Sequence, residues 1–377
     1  MKTDFIKDMM LEVSPDWRIV EPRGIEYLAV FEDINTLKIS STDFENPKIL
    51  VERRATPDCP YEFDSESGTL YFAGFSERDS AEIDERLVNT SRFNRKAITE
   101  LLKQESYIYS ISLSSLEIAE IAKAPEGYAF NWLLKLSPDN RKLYSYLLSL
   151  KKMDYLFASI DIQSGMFTTN SFEANVFHPR DICFSPEIVL IDSGDMGLAA
   201  FDFDGRIVSS LSEVQVCFSA SLHHDRKEVV FDTLASGKRK IGIWDMYSGS
   251  VEFMPFVGVY PVWSPDGSCI WFRENDASLC KMDIKSRKVE KIISFKDSEN
   301  QNWNYSGKVI FSPNHRYVFS TLSRTESMEQ EEKMSPKRAM HHNYTHLLCI
   351  LDTELKLAWA VPGYSYNFAW VQKGAWW

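Results

Sequence analysis

Pro261-Val-Trp-Ser-Pro-Asp-Gly-Ser-Cys-Ile-Trp-Phe272 is the stretch from which the fold is read. An apolar run leads into Ser264-Pro-Asp-Gly267, and a second apolar run leads out. Proline presets φ, aspartate bonds the backbone beside it, and glycine tolerates positive φ, so the four residues make a tight turn between two strands. The unit recurs as Leu134-Lys-Leu-Ser-Pro-Asp-Asn140, Cys183-Phe-Ser-Pro-Glu187 and Val309-Ile-Phe-Ser-Pro-Asn314. A degenerate copy reads Ser221-Leu-His-His-Asp-Arg-Lys-Glu-Val-Val-Phe231.

The second half of the unit repeats as well. A third strand ends in aspartate at Asp161, Asp202, Asp245, Asp283 and Asp352. A more polar fourth strand follows, such as Val289-Glu-Lys-Ile-Ile293. Four antiparallel strands of this kind make a blade that cannot bury both faces alone; radial stacking of copies buries them. Ser137, Ser185, Ser264 and Ser312 are spaced for one blade per ~40–48 residues, with one degenerate copy between.

The count is seven, at residues 13–55, 59–123, 128–172, 178–212, 214–256, 258–296 and 303–362, within one domain over 1–377. The C-terminal Asn367-Phe-Ala-Trp-Val371 resembles an inner strand with no partners after it. The N-terminal unit supplies those partners as Tyr27-Leu-Ala-Val-Phe31, Thr36-Leu-Lys-Ile39 and Lys48-Ile-Leu-Val51. The C-terminal strand is therefore expected to close blade 1. Val13-Ser-Pro-Asp16 competes for the same place.

Trp263-Ser-Pro-Asp-Gly267 resembles the repeat of TolB-type propellers, and Ile243-Trp-Asp-Met-Tyr-Ser-Gly249 resembles the end of a WD40 blade without its Gly-His half. The resemblance implies an all-β, seven-bladed β-propeller of four-stranded antiparallel blades, and no function travels with such a fold. In size and architecture the chain is also similar to oligogalacturonate lyases. That similarity implies a metal held by histidines, for which His342 and His346 are the alternative ligands, with His178, His223, His224 or His315 to add.

Composition narrows the partners. Of 377 residues, 44% are hydrophobic and 13% aromatic, enough for a large strand-rich core. The formal net charge of −12 argues against a general nucleic-acid binder, which needs a basic stripe, and favours a neutral or basic protein partner. Gly237-Lys-Arg-Lys240 reads as a solvated hairpin loop. The six cysteines form no C-x-x-C pair, so buried thiols are expected rather than a zinc ribbon. No apolar run approaches the ~18 residues of a membrane span, and no signal peptide is legible, so a cytoplasmic location is expected.

Two units are longer than the rest. Residues 77–105 in blade 2 read as a short helical insertion, and residues 324–344 in blade 7 as a polar one. Both fall between second and third strands, on one face of a propeller. Asn302-Trp-Asn-Tyr305 mixes polar and aromatic groups where a connection enters an inner strand, as do Tyr128, Phe130, Tyr260, Tyr364 and Tyr366. The expected partner-binding residues are Asn302, Trp303, Tyr305, Glu331, Lys337, Arg338 and His342. The sequence holds no G-x-S-x-G elbow, P-loop, dinucleotide fingerprint or EF-hand, and its paired acids fall at turns. The expected function is a non-enzymatic protein-interaction module without a cofactor, as a scaffold or neutralising protein. A metal-dependent lyase or hydrolase on a sugar-like ligand and a small-ligand sensor are the alternatives.

Overall fold

A computed structural model of the chain describes residues 11–33, 36–52, 61–76, 105–149, 155–173, 178–193, 196–214, 217–223, 225–235, 237–274, 278–295, 307–325, 344–362 and 368–373. The expected helical insertion and nearly all of the polar one lie outside these residues. Among the described residues, strands build seven sheets with a four-stranded antiparallel core, the blades of a seven-bladed β-propeller.

Blade 1 contains β3 (Tyr27–Asp33), β4 (Thr36–Ser41) and β5 (Lys48–Glu52). Its first position is taken by the C-terminal β30 (Phe368–Gln372), which pairs antiparallel with β3 from Tyr27↔Gln372 to Phe31↔Phe368. Blade 2 is β6 (Tyr61–Asp64), β7 (Thr69–Phe75), β8 (Ser106–Ser112) and β9 (Ile118–Lys123). Blade 3 is β10 (Tyr128–Leu136), β11 (Lys142–Ser149), β12 (Tyr155–Asp161) and β13 (Phe167–Ser171). Blade 4 is β14 (His178–Phe184), β15 (Glu187–Asp192), β16 (Leu198–Phe201) and β17 (Ile207–Leu211). Blade 5 is β18 (Cys217–Leu222), β19 (Glu228–Ala235), β20 (Lys238–Asp245) and β21 (Val251–Val257). Blade 6 is β22 (Val259–Trp263), β23 (Cys269–Arg273), β24 (Leu279–Asp283) and β25 (Val289–Phe295), and blade 7 is β26 (Ile310–Phe311), β27 (Tyr317–Thr325), β28 (Tyr344–Asp352) and β29 (Leu357–Pro362). Blades 4 to 7 with the N-terminal segment form one compact unit, and blades 1 to 3 form a second.

The segment around Val13 does not compete for blade 1. β1 (Leu11–Val13) adds antiparallel to β25 on the outer edge of blade 6, and β2 (Arg18–Ile19) adds parallel to β29 on the outer edge of blade 7. The reason is Trp17 between them, which is buried, donates its indole N–H to Glu290 Oε1 at 3.1 Å, and lies 5.1 Å beneath the Lys356 ammonium. Residues 11–19, of which the repeat counts 13–19 with blade 1, thus cover two edges that would otherwise be open.

The repeat works through its turns. Ser137, Ser264 and Ser312 are buried, and each hydroxyl donates to the acid or amide two residues on while accepting from the amide five residues on. His223 takes the same place in the degenerate copy, its Nδ1 accepting from the amides of Asp225 and Arg226, both at 3.1 Å. The Cys183 copy differs: Ser185-Pro186 is a cis peptide, and Phe184 pairs directly with Glu187 in a two-residue turn. At the other turn, Asp161, Asp245 and Asp283 each accept from the amide and hydroxyl of the serine three residues on.

The cores lie between blades. Leu28, Val30, Phe72, Tyr109 and Ile111 fill the space between blades 1 and 2. Phe231 and Trp244 meet Leu190 and Leu198 between blades 4 and 5, and Trp271 and Ile292 meet Val318 and Leu351 between blades 6 and 7.

Two outcomes follow. A Cβ at Gly267 (φ +65°) would meet His223 Nε2 at 1.9 Å, whereas one at Gly249 (φ +72°) meets nothing within 4 Å. Gly249→Ala is expected to lose about 1 kcal/mol for the left-handed backbone alone, and Gly267→Ala at least about 2 kcal/mol, both read by denaturant unfolding. Hydroxyls of Ser137, Ser164 and Ser248 hold the carboxyls of Asp139, Asp161 and Asp245 below their usual pKa, as the Ser286 amide and hydroxyl do for Asp283. A carboxylate depressed in the folded chain contributes stability above the ordinary range and loses it as pH falls, so Tm should drop below about pH 4. Asp161→Asn with Asp245→Asn keeps the acceptors and should flatten that drop.

Candidate functional site

The four-blade unit gathers its buried charge where the inner strands begin. Three of these strands carry a bulge near the head, between Pro179 and Asp181, Cys217 and Ser219, and Val259 and Val262. A bulge re-aims side chains, which is how charged residues reach the interior from apolar strands.

Arg180 leaves the first bulge. Its Nη2 donates to Asp192 Oδ2 at 2.8 Å and to the Cys217 carbonyl, and its Nη1 donates to the Phe218 carbonyl at 2.9 Å. Asp181 accepts from the Leu222 amide at 3.1 Å. Lys308, just before β26, sends its ammonium back to the carbonyls of Arg180, at 3.4 Å, and Ala220. The residue as a whole is half-buried, but desolvation of the ammonium among these groups pushes its pKa down. Blades 4, 5 and 7 are tied together by this one amine.

The second group centres on Arg239. Its Nη2 pairs with Asp232 Oδ2, and its guanidinium lies 4.1 Å from the Phe218 ring and 5.6 Å from that of Tyr260. Asp232 is fully buried, and burial raises its pKa against the pull of Arg239. Tyr260 donates its amide to Asp232 Oδ2 at 3.4 Å and has φ +53°, a conformation uncommon for a bulky residue. Arg273 closes the group at the end of β23. It is 1% exposed, and its Nη2 donates to Ser320 Oγ at 3.0 Å. Cys217 and Cys349 are buried, and burial pushes both thiols up to about 12, so neither supplies a thiolate. The arrangement offers fixed cations and hydrogen-bond donors rather than a nucleophile with its base.

The expected partner-binding residues Asn302, Trp303, Tyr305, Glu331, Lys337, Arg338 and His342 lie outside the described residues, as do His224 and His341. His346 falls in β28 opposite Ser323, and His178 begins β14 opposite Asp192, while His223 and His315 sit in turns joining first and second strands of blades 5 and 7. Among the described residues no three metal-ligating side chains come together. His223 spends Nδ1 on backbone amides and packs its ring edge-on to Trp263 at 5.2 Å, so it serves the turn. Of the aromatics near strand heads, Tyr260 joins the charged cluster; Phe130 donates its amide to Ser106 Oγ in blade 2. Asp232, Arg273 and Lys308 carry no motif in the sequence, and Arg239, expected in a solvated hairpin loop, instead lies in β20 with its guanidinium turned onto buried Asp232. The available signal was a charge at the end of an apolar strand, as in Val229-Val-Phe-Asp232 and Ile270-Trp-Phe-Arg273.

An oligogalacturonate lyase in complex with manganese superposes with a TM-score of 0.52 at 15% identity, over 76% of this chain and 79% of that one. The dihydro-heme d1 dehydrogenase NirN in complex with DHE does so with a TM-score of 0.52 at 11% identity, over 93% and 76%. TolB from Acinetobacter baumannii gives 0.45 at 15% identity over 92% of this chain, which spans 66% of the TolB chain. No protein-family model and no curated protein matches the sequence. At such identities the likeness is one of fold: the chain is a β-propeller in architecture, and the histidine ligands expected from the resemblance to the lyases are not assembled among its described residues.

Arg239→Ala would strand Asp232 as a buried carboxylate, at about 3 kcal/mol near pH 7. Protonation relieves a carboxylate whose folded pKa is raised, so the deficit should be largest at neutral pH and narrow as pH falls. Unfolding curves of the variant and wild type between neutral and mildly acidic pH test this.

Proposed function

We propose that the chain is a non-enzymatic protein-interaction module that presents the heads of its inner strands, and the connections beside them, to a protein partner. One observation carries the reading. Phe218 and Leu234 are 36% and 50% exposed beside Arg239, whose guanidinium is fixed by Asp232 below and flanked by two rings. Aromatic residues and arginine dominate binding hot spots, and a side chain already held in place loses little entropy when a partner arrives.

The position agrees with the long connection of blade 7. Leu234 stands just before the connection from β19 to β20, the same kind of connection that carries the insertion between β27 and β28. A net charge of −12 favours a basic or neutral partner and a scaffold or neutralising role in the cytoplasm. Asn302, Trp303, Tyr305, Glu331, Lys337, Arg338 and His342 extend the proposed surface.

Affinity capture from native cytoplasm, with each captured protein identified and then titrated as a purified partner, tests the surface. Phe218→Ala with Leu234→Ala should weaken the partner by at least about tenfold while Tm stays within about 3 °C. Tyr247→Ala, at an 88% exposed turn between third and fourth strands of blade 5, should bind as wild type does. Equal binding by the double variant would remove this face from consideration.

A further inference from the structure

Among the described residues nothing balances the charge of Arg273. The residue is 1% exposed, at the end of β23, with blade 7 packed against it through Ser320 and Cys349. Its Nη2 donates to the Ser320 hydroxyl, while buried Nε and Nη1 have no hydrogen-bond acceptor. Among the described residues it forms no ion pair, in contrast to Arg180 with Asp192, Arg239 with Asp232 and Arg316 with Asp352.

The described ionisable groups that act on it, Cys349 and Tyr260, do not serve as a counter-charge. Burial keeps the Cys349 thiol protonated, with its pKa up at about 12. Burial lowers Arg273 itself to about 10, which leaves it cationic at neutral pH. A desolvated cation without a partner costs several kcal/mol. Water can satisfy its N–H groups but cannot neutralise it.

Tyr260 is the second observation. Its left-handed backbone sets it at the head of β22 with its ring 5.6 Å from Arg239, and its phenol interacts electrostatically with Arg273. Sparsely populated backbone conformations concentrate where a side chain has a ligand to hold.

We propose that Arg273 forms the base of a buried anion site, walled by Tyr260 and Ser320, that takes a small monoanion of halide or carboxylate size. The site lies behind the proposed protein-binding surface, with which it shares Tyr260, and its occupation stabilises the contact between blades 6 and 7.

Thermal unfolding of the full chain at constant ionic strength tests the proposal, with gluconate replaced stepwise by chloride, bromide, formate or acetate. Wild type should show a saturable rise in Tm of at least about 2 °C, as expected for a ligand bound only by the folded state. A response to halides alone marks a free inorganic ion, and one that includes formate and acetate marks a carboxylate-bearing ligand. Arg273→Met, which replaces the buried charge by apolar volume, should lose the dependence. An equal anion response in both proteins, or none in wild type, overturns the site. Should the methionine variant not fold, bromide-soaked crystals of wild type decide: anomalous density at hydrogen-bond distance from Nε or Nη1 supports the site, and its absence there overturns it.

Discussion

Blades 2, 3, 5, 6 and 7 depend on a lock between their two turns at one end. The residue after the third strand donates its amide to a carbonyl in the turn between the first and second strands. Ile162 to Arg141, Met246 to Lys227, Ile284 to Ser268, Thr353 to Arg316 and Leu113 to Gly68 all do so, at 2.8–3.0 Å. Except in blade 2, the residue just before it is an aspartate that caps the second turn, and a buried serine or His223 braces the first. Chain direction therefore reverses twice at a fixed spot, and strand register is pinned there. Left-handed backbone four residues after the aspartate completes the turn, with glycine at Gly249 and an ordinary side chain at Arg287 and Lys356.

With one end of these five blades locked by bonds between turns, the other is available for variation. There the bulged inner strands turn charged groups inward, and the long insertions leave the sheets. A buried ion pair contributes little net stability compared with apolar packing, but it fixes geometry. Arg239 and Asp232 hold Phe218 and Tyr260 at set distances, and Lys308 holds three blades at one point. The molecule thus separates its duties: apolar clusters between blades supply cohesion, and the charged heads of the strands supply shape.

The fold was legible because its signal is local and repeated. Ser-Pro-Asp-Gly and the strand-ending aspartates are short-range chemistry, and each copy supports the others. The seven blade sheets and the strand role of residues 367–371 follow from that pattern, whereas β1 and β2 do not, since their placement depends on Trp17 fitting between two outer edges. The charged cluster was illegible for a related reason. Arg180, Asp232, Arg239, Arg273 and Lys308 are spread over 129 positions, and only the stacking of blades brings them together. Pattern reading also favoured the aromatic and histidine-rich loops, since exposed residues of those types advertise binding, while a single charge at the end of an apolar strand looks like a strand terminus.

β30 places a strand that follows blade 7 in the chain at the inner edge of blade 1. During translation β3, β4 and β5 emerge before β30, so the inner edge of β3 has no neighbour until residues 368–372 leave the ribosome. A chain cut short anywhere before that point carries an open, apolar strand edge, Leu28-Ala-Val30, of the kind that recruits other chains. The pairing that finishes blade 1 therefore separates a chain that reaches β30 from one that stops before it, and the shorter chain keeps that edge open.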